Sequence, residues 1–489
     1  MRDILYTLYI DLCLLSIKVI GRFGFFYFNK LYDFLQKNYV VSNDVLKYNI
    51  KRWFFMIPVI IISVLSILSM IFLILKFPSL KIKGFQTDTF YIPVLIGALI
   101  LLIFPLFNKD ELFHIITSNS SLNPLKILVL FICVSLMSIA LDEAGFFNYI
   151  AYKFINKFKA SQIKLFISLY ILVSILTVFT SNDIVILTFT PFILYFSKRG
   201  NINPIPYLVM EFVAANTYSM ILSIGNPTNI YLSSIFNITF LDYFLHMIVP
   251  GLITGIFTFI TLFILFYKKL KEPITVFDVS DVKLKNKVLC FVSLAHLSLT
   301  TIFLAISNYI NIEMWIICLV FAASLLIFLI TYSIIKKNSF YVLGSVRRIP
   351  YSLIPFILSM FTIIMALESY GVFENIRGLI DNIENDNLKV IVYLISSDLS
   401  CNIVNNIPMT LAYGSILGSE ANIGFVYATI IGSNIGAMLT PIGALAGIMW
   451  LRILKHNHVK YSFLDFMKNG LILTGVAIVA ASLSLLIFI

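Results

Sequence analysis

Residues 140–147 read ALDEAGFF, and residues 366–373 read ALESYGVF. The echo does not stand alone. Asn182-Asp183, ahead of ILTFTPF (186–192), returns as Asn405-Asn406, ahead of IPMTLAYG (407–414). Asn216 stands nine residues before Gly225, and Asn434 stands nine before Gly443. Many secondary transporters build a midplane binding site from repeats whose polar, Gly/Pro-broken stretches sit at matching places inside apolar segments. The chain therefore reads as an all-α polytopic membrane transporter. We expect about 11–13 transmembrane or re-entrant helices, in two inverted-topology repeats with broken helices at the midplane.

Composition agrees. Of 489 residues, 60% are hydrophobic, 15% aromatic and 12% charged, against about 25% charged in soluble domains. Runs at 53–75, 91–107, 125–141, 247–267, 312–335 and 469–489 have the length of a bilayer span. The net charge of +11 is spread through short loops, which fits positive-inside bias rather than nucleic-acid binding. Cys13, Cys133, Cys290, Cys318 and Cys401 show no CxxC spacing, so neither a zinc site nor a disulfide framework is expected. Asp3 and Asp11 interrupt the first apolar stretch, unlike a signal peptide. The reading divides the chain into an N-terminal extension (1–52), a first half (53–267, repeat core 125–267), a cytoplasmic linker (268–287) and a second half (288–489, repeat core 350–489).

Loop charge sets the relation of the repeats. Residues 148–164 hold Lys153, Lys157, Lys159 and Lys164 and no acid, while the equivalent 374–390 holds Glu374, Asp381, Glu384 and Asp386 against two bases. Lys198-Arg199 follow the first polar pair's segment, and only Glu420 follows the second. Residues 228–248 lack a base, while 452–468 hold Arg452, Lys455, Lys460 and Lys468. Opposite charge implies opposite sides of the membrane, hence inversion. Residues 30–52, with Lys30, Lys37, Lys47, Lys51 and Arg52, run against this count.

Polar groups in hydrocarbon cost several kcal/mol, of order 2–4, unless partnered, so the recurring ones should face protein or water. Asn182, Asp183, Asn405 and Asn406 are expected around a central cavity, with helix breaks at the nearby Pro191 and Pro408. Gly225 and Gly443 should mark two unwound helices facing it, with Asn216, Asn226, Thr228, Asn434 and Thr440 supplying neutral donors and acceptors. The plainer alternative is that these groups only bond helices together. Asp142, Glu143, Glu368, Asp398 and Glu211 are acids within or at the end of spans, and are candidates for coupling or gating. No nucleophile with its base and no metal spacing is visible, which argues against a membrane enzyme. The paired broken helices differ from a channel's filter or charge ring.

LDEAGFF (141–147), NDIVILTFTP (182–191), NNIP (405–408) and the stretch 430–466 resemble the ion transporter superfamily, and within it the arsenical pump (arsenite/antimonite) membrane permeases. The resemblance covers about 53–489. It implies two inverted halves and ion-coupled movement of a small oxyanion or oxyacid, most of all arsenite/antimonite-type efflux. Asn434 and Asn216 stand where those permeases usually carry aspartate, and Met438 stands where they carry a basic residue. IGNPTN (224–229) is closer to the carboxylate and anion branches, so a sodium- or proton-coupled carboxylate carrier and a sodium/proton antiporter stay open. The expected setting is the plasma membrane, with Na+ or H+ as coupling ion and no cofactor. A homodimer or an accessory ATPase subunit are the partners it suggests.

Overall fold

The computed structural model describes residues 43–488 apart from 78, 83–84, 105, 119–122, 159–160, 275–282, 308 and 338–339. Most of the expected N-terminal extension lies outside the described residues. Its boundary at residue 52 is not a structural one, because helix α1 (Asn43–Lys76) runs straight through it.

After α1 come a short antiparallel hairpin, β1 (Ser79–Ile82) and β2 (Phe85–Asp88), then α2 (Tyr91–Ile103) and α3 (Lys109–Thr117). This hairpin is the one β-sheet among the described residues. The first repeat follows: α4 (Pro124–Glu143), α5 (Phe146–Phe158), α6 (Gln162–Phe179), α7 (Asn182–Gly200), α8 (Ile205–Tyr218), a 3-10 turn at Ser223–Gly225, α9 (Pro227–Ile235) and α10 (Phe240–Leu270). Between the repeats stand α11 (Lys287–Ala305), α12 (Met314–Ile335) and α13 (Phe340–Arg347). The second repeat has the same order: α14 (Leu353–Ser369), α15 (Val372–Asp381), α16 (Asp386–Val404), α17 (Asn406–Leu417), α18 (Ile423–Ile435), 3-10 turns at Gly436–Met438 and Pro441–Gly443, α19 (Leu445–His456) and α20 (Phe463–Phe488).

Sequence explains where these helices start. Asn123, Ser161, Thr239, Asn286, Asn385 and Asn422 each sit one residue ahead of a helix and accept a bond from a first-turn amide. The opening motif is explained too. Gly145 and Gly371 both adopt positive φ, at 87° and 74°, and each turns a long helix into a short one. Only glycine takes that conformation without strain, so the repeated glycine is the repeated corner.

Among the described residues eight helices are long and apolar enough to cross a membrane, and α14 with α15 forms a ninth candidate bent by 70°. Apolar side chains such as Ile256, Ile260 and Ile264 on α10 are left exposed, as a lipid-facing surface requires.

The chain divides into two compact units that do not follow the repeat boundaries. One unites the residues up to Ser118 with Tyr351–Leu379. There α14 packs on α2, with Phe90 edge-on to Phe356 at 5.1 Å and the Tyr370 hydroxyl donating to the Leu106 carbonyl at 3.0 Å. The other holds Asn119–Pro350 and the chain from Ile380 onward.

Within this second unit, α10 shows the inversion directly. The first turn of α8 meets the far end of α10: Tyr207 donates to the Gln162 side chain at 3.1 Å, which donates to the Glu272 carbonyl at 2.8 Å. The first turns of α18 meet the opposite end: Tyr427 packs on Tyr243, stacks on His246 and donates to the Asp242 carbonyl at 3.5 Å. Thirty-one residues at about 1.5 Å each separate those ends by roughly 45 Å. The equivalent helices α8 and α18 therefore run in opposite directions. Packing is also reciprocal, since α9 of the first repeat lies on α17 of the second and α19 of the second lies on α7 of the first.

Candidate functional site

Each repeat contributes a hairpin whose tip is an extended break between two helices. In the first, α6 ends at Phe179, Thr180 and Ser181 are extended, and α7 starts at Asn182. In the second, the break is the single residue Asn405, at φ 78° and ψ 153°. That conformation is costly for a residue with a side chain, by about 1–3 kcal/mol, and marks the tip as a strained, over-determined position. The expected breaks at the prolines are corrected. Pro191 lies inside α7, which continues past it, and Pro408 lies in the first turn of α17, where its missing N–H loses no helical bond. The chain turns just ahead of both polar pairs instead.

Each repeat also contributes an unwound helix, as Gly225 and Gly443 indicate. Gly225 closes one 3-10 turn, where a Cβ would collide with the Ser219 carbonyl, and Gly443 closes the other, where a Cβ would lie 2.9 Å from Asn402 Oδ1. The following residues, Asn226 and Ala444, are extended and lead into α9 and α19.

Hydrogen bonds tie each hairpin tip to its own repeat's unwound helix. Asn182 donates to Asn216 Oδ1 at 3.2 Å. Asn405 donates to the Ile442 carbonyl at 2.9 Å, inside the Pro441–Gly443 turn. Asn402 adds a clamp, accepting from Thr440 N at 3.0 Å and Thr440 Oγ1 at 2.7 Å while donating to the Gly436 carbonyl at 2.9 Å. A second set of bonds joins the two unwound helices across the repeats. Asn434 Oδ1 accepts from Ser219 at 2.9 Å and Asn226 at 3.0 Å, Asn434 Nδ2 donates to Asn229 at 2.7 Å, and Ser433 donates to Thr228 at 3.0 Å. All of these residues except Asn402, Thr440 and Ile442 are buried.

The amides therefore close on one another, in contrast to the expected open cavity. Buried amides left unpaired are costly, and each finds its partner in the neighbouring break. Asn406 is buried at the start of α17, and Asp183 is half-buried in the first turn of α7, where the helix's positive end favours an acid. A cavity of about 230 Å³ lies elsewhere, among Lys126, Ser233, Asn237, Ser307, Glu313 and Trp315. Two helix N-termini at the breaks, those of α7 and α19, have no side-chain cap, and Ser181 Oγ at the first is buried without a partner. At α7 the Asp183 amide is taken by Asn182 Oδ1 at 2.9 Å; the remaining first-turn N–H groups and the Ser181 hydroxyl are donors for a ligand's oxygens.

The acids are dispersed. Glu211 on α8 is fully buried and accepts from Thr190 Oγ1 at 3.1 Å. Asp398 on α16 is fully buried with neither oxygen bonded. Asp142 and Glu143 end α4 and share Arg348. Glu368 is half-buried near the end of α14, in the other unit. Sequence reasoning missed Asn402, Ser219 and Arg348. The signal for Asn402 was available: an asparagine inside an apolar span, one turn ahead of Asn405.

The family profile described as CitMHS, citrate transporter, matches residues 89–425. The chain belongs to the citrate transporter family. Among named relatives of this family member, the "Putative arsenical pump membrane protein" of Bacillus subtilis (strain 168) is 27% identical over 419 residues, covering 78% of this chain and 90% of that protein. The "Arsenical pump membrane protein" of Yersinia enterocolitica is 26% identical over 359 residues, covering 70% and 82%. The crystal structure of the Alcanivorax borkumensis YdaH transporter, described as having an unusual topology, shares the fold. It matches at a TM-score of 0.53 and 10% identity, over 88% of this chain and 97% of that one. The protein is a multi-pass membrane transporter of this family.

Proposed function

We propose that this transporter moves a small, weakly charged oxyacid of the arsenite/antimonite class out of the cell across the plasma membrane, driven by a proton or sodium gradient. One observation carries the reading: the residues joining the hairpin tips and unwound helices are amides and hydroxyls, with no lysine or arginine among them. Arsenous acid is uncharged at neutral pH and offers hydroxyl groups that both donate and accept, which matches asparagine, serine and threonine. A tricarboxylate would bring several negative charges to a site without a cation, and charge of that kind calls for arginine or bound metal. The names of the arsenical pump relatives support the same substrate class.

The second reading is a carboxylate carrier, favoured by the uncapped starts of α7 and α19, which can hold an anionic oxygen. Growth separates the two. Expression in an arsenite-sensitive host lacking its own pump should raise the tolerated arsenite and antimonite concentrations without enabling growth on citrate. Growth on citrate with unchanged arsenite tolerance would establish the second reading instead.

A further inference from the structure

Asp398 of α16 is 0% exposed, and neither of its carboxyl oxygens has a hydrogen-bond partner. No ion pair among the described residues includes it. The other buried acids are compensated: Glu211 accepts from Thr190 at 3.1 Å, and Asp142 and Glu143 share Arg348.

Neighbouring charge offers Asp398 nothing either. On the elements packed against α16 the titratable groups are Tyr413 of α17, Tyr427 of α18, and Asp465 and Lys468 in the first two turns of α20. The turns at Gly436–Met438 and Pro441–Gly443 carry none. Along α16 itself stand Asp386, Lys389, Tyr393 and Cys401. Each of these two lysines has an aspartate of its own beside it, and Cys401 gives its thiol to the Asp398 carbonyl at 3.0 Å. A charge on Asp398 would have nothing to offset its lost hydration, and a carboxyl so placed takes up a proton instead.

Its position ties this acid to the second unwound helix. Asp398 stands one helical turn before Asn402, on the same face of α16. Asn402 Nδ2 donates to the Asp398 carbonyl at 2.8 Å and to the Gly436 carbonyl at 2.9 Å, while Asn402 Oδ1 holds Thr440. Gly436 lies so close that a Cβ there would come within 2.9 Å of the Asp398 Cα. The acid therefore sits at the joint between the Gly436–Met438 turn and the helix that ends at the Asn405 hairpin tip.

We propose that Asp398 carries the coupling proton of the transport cycle: protonated in this closed arrangement, and deprotonated when the second unwound helix parts from α16 and water enters. Its O–H bond then breaks, the proton passes to water, and the carboxylate is hydrated. Reprotonation from the opposite side of the membrane restores the neutral form. The proposal rests on the ion-coupled transport inferred above and narrows the coupling ion to the proton.

The first readout needs no substrate. The infrared spectrum of the purified full-length protein at neutral pH should contain the C=O stretch of a protonated carboxylic acid that is lost in Asp398→Asn and retained in Glu211→Gln. Asp398→Glu should shift that band without removing it, which keeps the test decisive should Asp398→Asn fail to fold. The second readout is flux in liposomes. Asp398→Asn should reduce arsenite flux driven by an imposed pH gradient at least about tenfold, with a much smaller loss in exchange of internal for external arsenite at equal pH. A merely structural role would lower both alike. The absence of an Asp398-dependent band, wild-type flux that follows a sodium gradient and not pH, or equal losses in the two flux assays would overturn the proposal. A wild type that moves citrate and not arsenite would refute the substrate reading alone, and the same two assays with citrate then decide this one.

Discussion

Asn434 and Asn226 belong to opposite repeats, and Asn226 Nδ2 lies 3.0 Å from Asn434 Oδ1. Through its other bonds Asn434 also holds Ser219 and Asn229, so one amide joins the two unwound helices. Replacing it by alanine takes a partner from three buried polar groups at once, and leaves Asn226 Nδ2 without one. Asn434→Ala should lose at least about 2 kcal/mol of stability, read as a lowered unfolding midpoint in detergent. Asn434→Asp keeps the acceptor and loses the donor, and should fall between alanine and wild type. An Asn434→Ala protein as stable as wild type would show that the repeats are held together elsewhere.

Close packing of α16 on α18 depends on glycine. A Cβ on Gly432 would collide with Ser397 Oγ and the Leu394 carbonyl, and one on Gly436 would lie 2.6 Å from the Asp398 carbonyl. Gly432→Ala and Gly436→Ala should each destabilise by about 1–3 kcal/mol, the usual cost of overpacking. Gly475→Ala has nothing within 4 Å of its new Cβ and should be neutral or slightly stabilising. Equal midpoints for all three would contradict the packing.

Inversion has a chemical readout. Lys198 and Glu420 follow the two hairpins and are both exposed. Cysteines placed there should react with a membrane-impermeant maleimide from opposite sides, Lys198→Cys from the cytoplasm and Glu420→Cys from outside. Cys133, Cys290, Cys318 and Cys401 are buried, so the background is kept low once Cys13, outside the described residues, is replaced by serine. Labelling of both from one side would refute the inverted repeat.

Acid should loosen one link outside the membrane. Burial raises the affinity of Glu313 for a proton, but Lys126 at 2.6 Å and Trp315 at 2.9 Å outweigh it and hold this carboxyl below its ordinary value. A carboxyl depressed by folding contributes stability that is fully present above its unfolded pKa of about 4.3 and is lost as pH falls through the lower folded value. Glu313→Gln should remove that part of the acid limb. The effect will be small, because Glu313 is exposed and the pair is screened.

The sequence made the repeats legible because they rest on positions with few chemical solutions. Gly145 and Gly371 at the corners, and Gly225 and Gly443 at the breaks, announce backbone that other residues cannot adopt. Inversion was legible in loop lysines, since charge bias acts on topology before any contact forms. The hairpin breaks were misplaced because proline is tolerated in the first turn and inside α7, while the true turns at Thr180-Ser181 and Asn405 use residues with no compulsory turn signature. The amide network was not legible in its pairing. Asn434 could have bonded its own hairpin, as Asn216 does, and only tertiary packing sends it to Asn226, Asn229 and Ser219. Nor did the repeats reveal that α14 packs on α2.

Flux through purified protein tests the central claim most directly. Full-length protein in liposomes, with arsenite inside and an imposed proton or sodium gradient, should release arsenite, and should not move citrate under the same gradients. Asn182→Ala and Asn405→Ala, each of which unties a hairpin tip from its unwound helix, should reduce arsenite flux at least about tenfold while the proteins remain folded. Gradient-driven citrate movement without arsenite release, or arsenite flux unchanged in both variants, would contradict the account.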